Sequence, residues 1–213
     1  MERLRRVRAC AALLVGSVGL LGACGTTSVN PSPPSRTAAA PSESATVTSL
    51  ADEAFTALDT KELVQGSRFV VKAHVTSAEP ADSIAYGEEG RTQFEFLELH
   101  IDEVLYTSAS SPMPATEMTL RQVATIGGRE TTVNGLTRAQ VDDVGYFFLV
   151  PSSVAENSWR LVSTQGQYTI DPNGRLRGAR RDDPVVKTIE TMSPTELERY
   201  VRSVVPKAIS PTS

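Results

Sequence analysis

From residue 68 to 77 the chain alternates, with Phe69, Val71, Ala73 and Val75 on one side and Lys72, His74 and Thr76 on the other. A period of two predicts a strand with one buried face. Residues 92–105 repeat the pattern: Leu97, Leu99, Ile101 and Leu105 share one face, and Glu98, His100 and Asp102 the other. A third strand is predicted over 116–125, with Met118 and Leu120 inward, and Gly127-Gly128 turns the chain after it. Residues 136–141 read as a short helical cap. Residues 145–150 are continuously apolar, which predicts a strand covered on both faces. A fifth strand is expected over 159–165. A further segment, 167–170, closes at Asp171-Pro172-Asn173-Gly174, where proline presets one turn dihedral and glycine supplies the positive one, and 175–177 return.

Helical periodicity lies at the two ends of this β-rich stretch. Ser49 and Asp52 have capping-box spacing and predict a short helix with Leu50, Ala54, Phe55 and Leu58 on one face. A second helical turn over 61–65 should stop at Gly66 in a left-handed cap. A one-turn helix is expected over 184–191. The last helix has the clearest signature: Ser193 as N-cap, Pro194 at the first helical position, and Glu196 completing a capping box. Leu197, Tyr200, Val201 and Val204 then form one stripe, and Pro206 ends it. The fold class is therefore mainly β with flanking helices (α+β). Five main strands with an irregular or helical crossover between the third and fourth give the element order of a five-stranded OB-like Greek-key barrel, with N-terminal short helices and a C-terminal amphipathic helix. Helices on the flank of an open sheet give the same order.

Ahead of this domain the pattern changes twice. Arg3, Arg5, Arg6 and Arg8 precede an apolar run over 9–23 that is too short for a bilayer span, which takes about 20 residues. A basic start, a short apolar middle and small residues at its end describe an export signal. Residues 25–47 carry Pro31, Pro33, Pro34 and Pro41 among serines and threonines, a composition that cannot build a core and reads as a tether. The organisation expected is a signal peptide over 1–23, a modified cysteine and tether over 24–47, and a single globular domain over 48–213.

The signal ends in Leu21, Gly22, Ala23 and Cys24, which resembles the lipobox of bacterial lipoproteins. The resemblance implies cleavage after Ala23, a diacylglyceryl group on Cys24, and attachment to the extracytoplasmic face of the cell membrane. The Pro/Ser/Thr tether and the excess of arginine over lysine resemble actinobacterial envelope lipoproteins. The order of elements also resembles a group of bacterial secreted and lipoprotein domains of unknown function. That likeness rests on residues 63–75, the strand end at Asp102 to Leu105, Gly127-Gly128, residues 145–149, Gln165 to Tyr168 and the final helix. It implies a fold and assigns no catalytic residue.

Charge sharpens the picture. The 213 residues carry 21 basic and 25 acidic side chains, net -4. Without the leader, which holds four arginines and one glutamate, the balance is 17 against 24, or -7. An acidic domain lacks the basic footprint that nucleic acid calls for. Two cysteines and two histidines exclude a disulfide scaffold or a multi-cysteine zinc site, and no cofactor is expected beyond the lipid on Cys24.

Candidate chemistry is sparse. Glu98, His100 and Asp102 stand on alternate positions of one strand, about 6.5 to 7 Å apart, so two could share an ion. His74 could join them if the first two strands pair antiparallel. A solvated outer strand face would carry the same residues. Arg175, Arg177, Arg180 and Arg181 form a basic run able to contact anionic groups, although Asp182 and Asp183 follow directly and a solvated, self-compensated loop is the plainer reading. The carboxylate pairs Glu88-Glu89 and Asp142-Asp143 read as loop solvation. Nucleophile elbow, phosphate loop and paired-cysteine motifs are all missing from the sequence. The function expected is that of a binding or interaction module in the cell envelope, with a protein or cell-wall polymer as partner. A metal-dependent or hydrolytic enzyme on Glu98, His100 and Asp102, and a lipid carrier or chaperone, are the alternatives.

Overall fold

A computed structural model of the chain describes residues 47–49, 55–85, 91–109, 112–153 and 156–206. Cys24, the leader, the tether up to residue 46 and the loop at 86–90 lie outside the described residues.

The described chain is mainly β. Its strands are β1 (Val47–Ser49), β2 (Phe69–Ala85), β3 (Arg91–Thr107), β4 (Glu117–Ile126), β5 (Arg129–Val133), β6 (Val144–Pro151), β7 (Trp159–Leu161), β8 (Gln167–Ile170) and β9 (Leu176–Gly178). Three helices accompany them: α1 (Thr60–Gly66), α2 (Pro184–Glu190) and α3 (Pro194–Ser203). The sheet runs β1-β5-β4-β3-β2-β6-β8-β9, and short β7 pairs with both β4 and β6. Strands β2, β3, β4, β7 and β6 therefore close into a hydrogen-bonded ring. The β4–β7 contact, Leu120 opposite Trp159, is parallel, and the other ring pairs are antiparallel.

Two apolar cores lie on opposite faces of β2 and β6. Phe69, Val71, Leu97, Leu99, Leu120, Phe147 and Leu149 fill the interior of the ring, with Trp159 and Leu161 packed against them. Outside it, Val70, Tyr146, Phe148 and Tyr168 meet Leu63 and Val64 of α1, Val186 and Ile189 of α2, and Leu197 and Val201 of α3. Residues 146–149 are all fully buried, pointing alternately into one core and the other. A strand with apolar contacts on both faces has no polar positions to alternate with, hence its continuous apolar sequence.

Bulges decide which face of β3 goes where. Ala73 pairs with Ile101 and Lys72 with Glu103, so Asp102 is an extra residue. Val71 pairs with Val104 and Val70 with Tyr106, so Leu105 is a second one. Each extra residue resets the alternation. Leu105, expected on the face of Leu97, Leu99 and Ile101, is accordingly buried in the outer core instead.

Several expected elements take another form. Ser49 belongs to β1, and residues 55–58 are not helical; Leu58 is exposed, so the first N-terminal helix finds no support where the chain is described. Helix α1 starts at the Asp59 N-cap, whose carboxylate accepts the Glu62 N–H at 2.7 Å. Gly66 is not left-handed. A side chain there would meet the Phe55 ring at 2.5 Å, so close approach explains the glycine. Residues 136–140 are irregular rather than helical, and 162–166 form turns, which shortens the fifth strand to three residues. Gly127 and Gly128 do adopt positive φ, at 59° and 74°, and join β4 to the polar strand β5, which the pattern did not indicate.

Helix α3 has the expected capping box, with Ser193 and Glu196 satisfying one another's backbone N–H groups. Its solvent-side rim is tied to the barrel through Glu198, which accepts from the buried Tyr146 hydroxyl at 2.6 Å and from Lys72 at 3.0 Å. These bonds hold Glu198 below the usual carboxylate range, the tyrosine hydroxyl contributing most. The Tyr146 hydroxyl is pushed far up, first by burial and then by Glu198. A carboxylate whose folded pKa is depressed stabilises the fold above its unfolded value, and that contribution disappears as pH falls through the folded one. Glu198→Gln should lower stability by about 1 kcal/mol near neutral pH. Urea midpoints measured against pH should show this gap constant above about pH 4.5 and closing below it.

Candidate functional site

The loop between β5 and β6 has little secondary structure, so its backbone must find partners elsewhere. Gln122 of β4 supplies them. Its amide donates to the Ala139 carbonyl at 2.8 Å and accepts from the Ala139 N–H at 3.2 Å, plugging Ala139 into the inner core. Next to it, Arg138 bridges Glu95 at 3.1 Å and Glu130 at 3.5 Å. Across from the loop, Thr137 N–H donates to the Ala179 carbonyl and the Gln167 amide donates to the Thr137 carbonyl.

Between this loop, β8 and the segment after β9 lies a cleft of about 250 Å³. Arg138, Arg177 and Arg181 face it, with Asp143 as an acidic residue on the same lining, and Gln140, Gln167 and Thr169 add amide and hydroxyl groups. Gln167 is 2 % exposed, and its Oε1 is buried with no hydrogen-bond partner among the described residues. Buried polar atoms are normally satisfied, and this amide carbonyl is one of two buried side-chain atoms among the described residues that are not.

The basic run is dispersed by the fold. Arg177 donates from Nε to Asp171 at 3.1 Å, and the Arg175 backbone N–H donates to the same carboxylate at 2.9 Å. The Arg175 N–H, ahead of the Arg177 guanidinium, holds Asp171 below the ordinary carboxylate range. Arg180 donates to Thr164 at 3.1 Å. Arg181 is exposed beside the cleft. Thus Arg177 and Arg181 reach the cleft, Arg175 and Arg180 are not part of its lining, and Arg138, some 40 residues earlier in the chain, completes it. Asp183, expected within a solvated, self-compensated loop, is buried instead: it caps α2 and receives the Gln165 amide at 3.0 Å.

The other candidate face is also assembled in part. His74 and His100 are directly opposite on β2 and β3, with ring centroids 4.9 Å apart. Nδ1 of His74 faces Asp102 at 3.3 Å. Glu98 is turned to β4, where it accepts from the Thr119 hydroxyl at 2.9 Å. Among the described residues no three His, Cys, Asp or Glu side chains converge as a metal cluster. A third feature is a more apolar groove of about 530 Å³, where Trp159 and Phe69 pack at 5.1 Å beside Met113, Met118 and Pro151.

Replacing Gln122 by Met removes both bonds to Ala139 while keeping side-chain volume. It should cost about 1–3 kcal/mol of stability in urea unfolding and raise hydrogen exchange across residues 136–141. The chain matches no known family model, no curated protein and no solved structure, so its own geometry is what any functional reading must rest on.

Proposed function

We propose that this is a lipid-anchored extracytoplasmic binding module, in which an OB-like Greek-key barrel offers its guanidinium-rimmed cleft to an anionic polymer of the cell envelope. The barrel reading is supported by the ring order β2-β3-β4-β7-β6 and by its parallel β4–β7 contact, which suit five strands with a crossover before the fourth. The anchor reading is supported by the arginine-rich start, the short apolar run and the box ending at Cys24.

The observation that carries the binding role is the exposed Arg181 at a small cleft that Gln140, Thr169 and Arg177 also line, with Arg138 beside it held by Glu95 and Glu130. Guanidinium donors suit phosphate or carboxylate oxygens, and an amide acceptor suits a hydroxyl. A hydroxylated polyanion, such as a polyol-phosphate chain, presents both. The acidic balance of the rest of the domain opposes loose attraction to polyanions and favours recognition confined to this cleft.

Two measurements test the proposal. Binding of the chain to poly(glycerol phosphate) should weaken roughly tenfold or more in Arg181→Glu, since a charge-assisted hydrogen bond is lost and a like charge introduced. No binding by the parent chain would overturn the ligand assignment. Separately, Cys24→Ala expressed in a bacterial host should move from the membrane to the soluble extracytoplasmic fraction, and unchanged membrane association would overturn the anchor.

A further inference from the structure

The chain has only two histidines, 26 residues apart in sequence, and the β2–β3 register sets them face to face. Directly opposed side chains on antiparallel strands have Cβ atoms about 4.5–5.5 Å apart. The imidazole centroids here stand at 4.9 Å with the rings inclined by 43°. Two nitrogens that share an ion at about 2.0–2.1 Å each must lie about 3–4 Å apart, a separation that two imidazoles so placed reach through side-chain rotation alone.

The surroundings favour this use. The bulge at Asp102 places its carboxylate against Nδ1 of His74. A carboxylate there accepts from Nδ1–H and leaves the Nε2 lone pair free, which is how outer carboxylates orient metal-binding imidazoles. On the far side of His100 its direct partner on β4 is Glu117, an exposed carboxylate on the same sheet face. The neighbouring cation Lys72 is engaged by Glu198. His74 is 40 % exposed, so an ion can enter from solvent and keep waters in its remaining positions.

We infer that His74 and His100 form a two-imidazole chelate for a late divalent transition ion, with Asp102 as the positioning residue for His74. Imidazole donors suit copper(II), nickel(II) and zinc(II), and the order of affinities among divalent ions places copper(II) first. The site shares no residue with the arginine cleft and stands independently of the proposed function.

The test uses the full chain with Cys10→Ser and Cys24→Ser, which removes competing thiolates, titrated with Cu2+ alone. Calorimetry should give a single saturable site, and electron paramagnetic resonance should show coupling to two imidazole nitrogens. His74→Ala and His100→Ala should each lose one nitrogen and weaken binding at least tenfold. Asp102→Asn should retain both nitrogens and weaken binding on the order of tenfold, through orientation rather than ligation. Zinc(II) should compete at higher concentration. All three positions are solvent-facing, and circular dichroism checks that each variant keeps the fold. Absence of saturable binding at submillimolar Cu2+, or a two-nitrogen signal that survives the double histidine variant, would overturn the site. Unchanged affinity in Asp102→Asn would overturn the positioning role.

Discussion

The structure depends on the start of β2, residues 69–71, and on β6 being buried on both faces. A small barrel has room inside for little more than its own inward side chains, and here those are Phe147, Leu149, Val71, Leu97 and their neighbours. Three helices then pack against the outside of the same two strands, over Val70, Tyr146 and Phe148. Each fully buried large apolar side chain contributes about 1.5–3 kcal/mol, so one short strand, β6, anchors two cores at once. Close packing on both sides also leaves no space for bulk at its start. A Cβ on Gly145 would lie 2.1 Å from the Tyr168 carbonyl, which accounts for glycine at the first buried position of β6.

Burial on two faces creates a polar problem that the fold solves at its edges. Tyr146 must place a phenol in an apolar layer, and its hydroxyl finds Glu198 where α3 meets solvent. Gln165 plays the same part at the other end of the outer core. Its amide bonds both N–H and C=O of Ala57 and the carboxylate of Asp183, tying the entry to α1, the turn after β7 and the cap of α2 together. Through these contacts side chains satisfy irregular backbone that has no strand partner. The Tyr168 hydroxyl and Gln167 Oε1 are the buried side-chain atoms that stay unsatisfied among the described residues, and they belong to consecutive residues of β8 beside the cleft.

What the sequence made legible follows from this physics. Continuous apolarity at 145–150 identified β6 because both faces are dry, and Ser193, Pro194 and Glu196 identified α3 because capping is a local code. The alternation over 68–77 and 92–105 located β2 and β3, but not their ends, since the pairing extends past the barrel over residues whose sequence is polar. The bulges at Asp102 and Leu105 left no trace in the pattern, and they reversed the face of Leu105. Strand β5 was missed because Arg129 to Thr132 is polar, and the helical reading of 136–141 failed because side-chain bonds from Gln122, invisible in sequence, hold that loop irregular. Of the candidate residues, the basic run put Arg177 and Arg181 forward, whereas Arg138 and Gln167 reach the cleft through tertiary contacts that no local spacing encodes.

Both polar features worth chemistry arise where the regular ladder breaks. The extra residue at position 102 in β3 is what turns a carboxylate toward His74. In an unbroken strand the residue two places from His100 would sit roughly 6.5–7 Å along the same face, and its carboxylate would be directed past the imidazole instead of at its Nδ1. The loop over 134–143 likewise departs from the sheet through positive φ at Asn134, Gly135 and Asp142, and in doing so it brings Arg138 and Gln140 across to β8 and β9. The continuously buried stretches, residues 69–71 of β2 and 145–149 of β6, leave no room for functional polar groups. A fold organised around them must place its recognition chemistry at bulges, loops and turns, and the distribution of polar side chains here follows that rule.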